Sequence, residues 1–98
     1  MRAVDVSIVT YDSDPALLRQ LFASLAEPVS PAIAINVLVH DNSPRPEGID
    51  SLRAELEGNR AFARVDIHRS GENLGFGRGH NANASRGKAP WFLVINPD

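Results

Sequence analysis

Four polar clusters lie far apart in the sequence, and each carries residue types that bind oxygen-rich ligands. Thr10, Tyr11 and Asp12 follow one β-branched run, and Asp41, Asn42 and Ser43 follow a second apolar run. Asn73 opens a glycine-broken stretch that reaches Asn81, and Asn96, Pro97 and Asp98 follow a last apolar run. Carboxylates such as Asp12 and Asp41 accept hydrogen bonds from N–H and O–H groups, which is what a nucleobase edge and a ribose present. Gly75, Gly77 and Gly79 let backbone approach a bulky group, and a helix starting there offers unpaired N–H groups to phosphate oxygens. Arg78 adds a cation at the same place. Asp98 is a hard oxygen ligand of the kind Mg²⁺ or Mn²⁺ uses when it also holds a diphosphate. A metal bridging two phosphates stabilises a departing nucleoside diphosphate. These residue types suit a nucleotide with a diphosphate tail.

Residues so distant in sequence act together only if the fold gathers them, and the hydrophobic pattern supplies a way. The stretch 4–11 is apolar and β-branched; after it Asp14 can cap a helix and Pro15 suits its first turn. Leu17, Leu18, Leu21, Phe22 and Leu25 then share one helical face, and Pro28 stops the helix. The scheme repeats with a strand over 32–40 ending at Asp41, and a helix carrying Ile49, Leu52 and Leu56 before Gly58. A third strand around Val65 and Ile67 alternates apolar and polar, as an edge strand with one wet face does. A helix of small residues follows from about Gly77 to Arg86, and the run Trp91 to Ile95 reads as a strand buried on both faces.

Alternating strands and helices predict a three-layer α/β/α fold with a parallel sheet, because parallel neighbours need right-handed crossovers. The expected strand order is 3-2-1-4. All strand ends then fall on one rim, where open α/β sheets bind ligands at the point of reversed strand order. All four polar clusters belong to that rim.

Composition narrows the function classes. The chain has 98 residues, 43% apolar and 22% charged, as expected of one globular domain, and it is small for an enzyme holding two substrates. A net charge of −2 provides no broad attraction for nucleic acid or an anionic membrane. With no cysteine there is neither a disulfide nor a thiolate metal site, which is compatible with a reducing cytoplasm.

On the segments VSIVTYDSD, VLVHDNSP, ENLGFGRGHNAN and FLVINPD, the whole chain resembles the first half of a family 2 glycosyltransferase of the GT-A, Rossmann-like fold. The resemblance implies an inverting enzyme that moves a sugar from a UDP- or dTDP-sugar to a glycan or other hydroxyl acceptor. It also implies a cytoplasmic address, with the inner face of the membrane as a working place. Thr10 and Tyr11 would line the base pocket, Asp41 would bind the base, and the segment from Asn73 to Asn81 would close over the nucleotide. Asn96 and Asp98 would stand at the family's D-x-D motif, with Asp98 on the metal. The NPD form resembles the branch that includes bacterial rhamnosyltransferases. Asn96 replaces an aspartate found in many members. The family's catalytic base and acceptor half lie downstream of this motif, so residues 1–98 read as a donor-binding part cut after it and inactive in transfer alone.

Simpler roles compete for the same residues. Asp41, Asn42 and Ser43 are also turn formers, and Asn96-Pro97-Asp98 can be a plain strand stop. The glycine series lacks G-x-G-x-x-G spacing. His40, His68 and His80 show no metal-ligand spacing and read as surface or loop residues, Trp91 and Phe92 as core, and Arg45, Arg53, Arg60 and Arg64 as solvated surface. A non-catalytic nucleotide- or anion-binding module is the alternative function. A receiver domain needs a phosphorylated aspartate after its third strand, which the sequence lacks there. The last strand is expected to present a hydrophobic edge, and with it self-association.

Overall fold

The computed structural model describes residues 2–27 and 32–97. Pro28, expected to end the first helix, and Asp98, expected at a metal, lie outside the described residues. The elements run β1 (Arg2–Thr10), α1 (Pro15–Ala26), β2 (Ile33–Asp41), α2 (Glu47–Glu57), β3 (Arg64–Arg69), α3 (Gly75–Arg86) and β4 (Trp91–Ile95). Local chemistry accounts for the helix starts. The Asp14 carboxylate accepts from the Ala16 N–H at 2.9 Å, and Pro15 occupies the first turn. Glu47 and Asp50 place negative charge in the first turn of α2, where the helix dipole favours it. Gly75 begins α3 two residues ahead of the expected start, at a φ of 80° that glycine adopts readily.

The strands form one sheet in the order β3-β2-β1-β4 with every pair parallel, as the sequence pattern predicts. Strand alternation divides the two layers. Val6, Ile8, Val37 and Val39 pack against Leu18 and Phe22 of α1 and Ile49, Leu52 and Leu56 of α2. Ser7, Val9, Leu38 and His40 occupy the alternate positions, and α3 lies over that face. The approach of α3 is close at Gly79, where an added Cβ would stand 2.7 Å from Val9 Cγ2. Asp5, buried in β1, accepts from Asn36 Nδ2 at 3.0 Å and from the Ala89 N–H at 2.9 Å, fastening the connection from α3 to β4.

Several expectations are corrected. The run Trp91 to Ile95 is a strand but not a buried one: Trp91 is 61% exposed, Phe92 40%, Leu93 48% and Val94 49%. The helices pack over β1, β2 and β3, so β4 at the sheet margin is left largely uncovered among the described residues, with Ile95 packed against the core. Trp91 and Phe92 are therefore surface, not core. Leu17 is exposed too, because the apolar stripe of α1 centres on Leu18 and Phe22. His40, expected at the surface, is buried in β2 on the α3 side. Arg64 is half-buried, donating to Asp66 at 2.9 Å and to the Arg86 carbonyl at 3.1 Å. Among the described residues no helix is long and apolar enough to cross a membrane.

Candidate functional site

With all strands pointing one way, their C-terminal ends share a rim. Thr10 pairs with Asp41 and Asp41 with Arg69, so three polar residues stand in one row across β1, β2 and β3. On the other side Ile8 pairs with Ile95, which brings Asn96 out beside the end of β1.

Asp41 is the hub of this row. Its Oδ1 accepts from Thr10 Oγ1 and from Ser43 Oγ, both at 2.7 Å, and its Oδ2 accepts from Arg69 Nε at 3.0 Å. Arg69 also donates to the Ser43 carbonyl at 2.6 Å. The carboxylate is buried and satisfied within the protein, as a buried charge must be. Asp41 therefore sits where the sequence places it, with its oxygens engaged by Thr10, Ser43 and Arg69. Asp12 is exposed, and its N–H donates to Ser43 Oγ at 2.7 Å. Its φ of 45° is the left-handed region, which Asp tolerates better than most residues. Ser43 thus links the ends of β1 and β2. Beside this latch opens a cleft of about 410 Å³ whose walls include Thr10, Asp12, Ser13, Asp41, Ser43 and Arg45, with the first turn of α2. That size is in the range of small-molecule sites.

The start of α3 forms the next part of the rim. Asn42 Nδ2 donates to the Gly75 carbonyl at 3.1 Å and Ser70 Oγ to Asn42 Oδ1 at 2.9 Å, which fixes the β3–α3 loop to the end of β2. Asn73 accepts from the Gly75 N–H at 3.0 Å, so its side chain shapes the turn into α3. Tyr11, Arg78 and Asn81 are exposed, and Arg78 forms no ion pair among the described residues. At the far end Asn96 is exposed and meets His80: Nε2 lies 2.8 Å from Asn96 Oδ1, while Nδ1 lies 2.7 Å from Ser7 Oγ. His80, expected as a surface or loop residue, is a half-buried bridge on α3.

The structure brings Thr10, Asp12 and Asp41 into one cleft, and it sets Asn73, Gly75, Asn96 and the exposed Tyr11, Arg78 and Asn81 around the same end of the sheet. Among the described residues no three of His, Cys, Asp and Glu gather as a cation site, and Asp98, the expected ligand, lies outside them. Arg69 and Ser7 are site residues that sequence reasoning does not single out, His80 is one expected only as a surface or loop residue, and Arg45 is exposed as expected while also lining the cleft. Arg69 left a signal, since it ends β3 as Asp41 ends β2 with the opposite charge. Ser7, like Asp5, is a polar residue amid the apolar run of β1.

His40 lies under α3 near this rim. It is 2% exposed, neither ring nitrogen has a hydrogen-bond partner within good geometry among the described residues, and its ring is 5.4 Å from that of His68. Burial lowers its pKa below the ordinary 6.5, and the neighbouring His68 and Arg86 lower it further, against weaker opposite pulls from Asn42 and Asp41.

No protein-family profile matches the chain, and no curated protein matches it. Among solved structures it is similar to TarS of S. aureus, a glycosyltransferase, with a TM-score of 0.72 at 20% identity. The likeness covers 100% of this chain and 17% of that one. At that identity it shows the fold alone: the sheet and helices share the arrangement of that part of TarS.

Proposed function

We propose that this chain is the donor-binding part of an inverting family 2 glycosyltransferase with the GT-A fold, similar to the rhamnosyltransferase-like members. The donor is a UDP- or dTDP-sugar, and the acceptor a hydroxyl of a glycan or similar molecule. In transfer the acceptor hydroxyl gives its proton to a general base as its oxygen bonds to the anomeric carbon, the bond from that carbon to the diphosphate breaks, and the nucleoside diphosphate leaves with the electron pair. Thr10, Tyr11 and Asp12 hold the base and ribose over the latched Asp41. The segment Asn73 to Asn81, with the exposed Arg78 as its cation, faces the diphosphate. Mg²⁺ or Mn²⁺ at Asp98 would neutralise the leaving diphosphate when bound. No residue of this chain is assigned as the catalytic base.

The observation that carries this reading is the convergence of four distant polar clusters on one rim beside a cleft of about 410 Å³. The similarity to TarS supports it at the level of fold. A second reading, a nucleotide- or anion-binding module without chemistry, is favoured by Asp41 being already neutralised by Arg69. Calorimetric titration with UDP and dTDP, each with and without Mn²⁺, distinguishes them. The donor-site reading expects binding that Mn²⁺ strengthens. Binding indifferent to Mn²⁺ supports the second reading, and no binding of either nucleotide contradicts both.

A further inference from the structure

The contacts beneath Asn96 form a chain whose direction can be worked out from its buried end. Asn83 is fully buried on α3. Arg86, which only donates, contacts Asn83 Oδ1, so the amide nitrogen must face the other way. There it meets the Leu38 carbonyl at 3.0 Å, Ser7 Oγ at 2.9 Å and, at a longer 3.4 Å, the Ile8 carbonyl; the two nearer acceptors take its two protons. Ser7 Oγ thus accepts from Asn83, and its own proton goes to its remaining neighbour, His80 Nδ1, at 2.7 Å. The opposite arrangement, with the proton on Nδ1, would leave the hydroxyl hydrogen of a fully buried serine without an acceptor among the described residues, which is costly. Neutral His80 therefore carries its proton on Nε2 and donates to Asn96 at 2.8 Å, and Asn96 must turn its oxygen toward the ring.

We infer that Ser7 and His80 are positioning residues that hold the exposed Asn96 amide with its NH₂ toward the ligand, making this position a hydrogen-bond donor to an acceptor oxygen of a nucleoside diphosphate and not a ligand to a cation. The ligand half of this inference rests on the donor-site reading; the relay itself does not. The relay explains how Asn can stand where a carboxylate is common in the resembling family. With the amide oxygen occupied by His80, the two N–H groups of Asn96 have no protein partner among the described residues. They complement negative oxygen, whereas an aspartate here would repel it unless a cation intervened.

Two measurements on the 98-residue chain test this. Long-range ¹⁵N–¹H spectra at a pH where His80 is neutral are expected to show the proton on Nε2, and a tautomer mixture in Ser7→Ala. A proton on Nδ1 in the unmodified chain overturns the relay whatever the ligand does. UDP titrations then compare side chains of matched polarity. His80→Gln keeps an acceptor for Ser7 and a donor for Asn96 and should bind within about threefold of the unmodified chain, whereas His80→Leu should lose about tenfold, the worth of about one hydrogen bond. Asn96→Asp should lose about tenfold or more without Mn²⁺. Equal losses in His80→Gln and His80→Leu, or unchanged binding in Asn96→Asp, overturn the positioning role. If the unmodified chain binds neither UDP nor dTDP while the Nε2 tautomer stands, the donor-site reading and the ligand half of the inference fall together, and the relay stands.

Discussion

Replacing Asp41 with Asn removes one charge and few atoms, so its effect isolates the latch at the end of β2. The Asp41 side chain is 2% exposed and that of Arg69 23%, with Nε 3.0 Å from Oδ2. Breaking a buried pair by removing one partner costs about 3–5 kcal/mol, and a hydrogen bond to a charged group is worth about 1.5–3 kcal/mol. Water reaching Arg69 softens the loss, and Asn can keep one oxygen for Thr10 and Ser43, which brings the expected destabilisation to about 2–3 kcal/mol. For a domain whose total stability is about 5–15 kcal/mol this is a large fraction, and at this size it lowers Tm by about 8–24 °C. Urea unfolding of Asp41→Asn, Arg69→Met and the double variant should give two large single losses and a double loss smaller than their sum by at least about 1 kcal/mol. Single losses within about 0.5 kcal/mol of zero would refute the latch. Asp41 would then be available to a ligand as the sequence alone suggests.

Further consequences can be checked separately. Gly79→Ala gains up to about 1 kcal/mol of helix propensity but drives its Cβ against the stiff, buried Val9, and a net loss of about 1–2 kcal/mol is expected, partly restored by Val9→Ala in the same chain. His40 has a lowered pKa in the fold, so the unfolded chain binds the proton more readily. Its contribution is complete above the ordinary 6.5 and declines as pH falls below it, with a slope of at most about 1.4 kcal/mol per pH unit. His40→Leu should flatten the stability profile below pH 6.5, and superimposable profiles would contradict the assignment. We propose that β4, with Trp91 and Leu93 exposed at its uncovered margin, mediates self-association. Sedimentation should show concentration-dependent association that Trp91→Lys with Leu93→Lys abolishes; a monomer at every concentration would count against it.

The legible parts of this molecule are those decided locally or by chain connectivity. Asp14, Pro15 and the leucine spacing define α1 within one stretch, and the crossover rule turns alternating elements into the order β3-β2-β1-β4. The exposure of β4 was not legible, because an apolar run records that a strand suits a covered environment without recording what covers it. His40 lies two residues beyond Leu38, on the α3 side of β2, and alternation along that strand could have marked it as interior. The polar wiring of the rim is a product of tertiary contact. Arg69 reaches Asp41 across 28 positions and His80 reaches Ser7 across 73, so neither spacing is a motif. Strand ends predict which residues share a border; they do not predict that Asp41 arrives there already paired.

The central claim is that this border receives a nucleoside diphosphate, and amide shift mapping of the ¹⁵N-labelled chain during UDP titration tests it most directly. Saturable shifts confined to Thr10, Tyr11, Asp12, the segment Asn73 to Asn81, and Asn96 are expected. Shifts centred instead on the groove between α1 and α2, around Arg19, Phe22 and Glu55, or no saturable shifts with either UDP or dTDP, would contradict it.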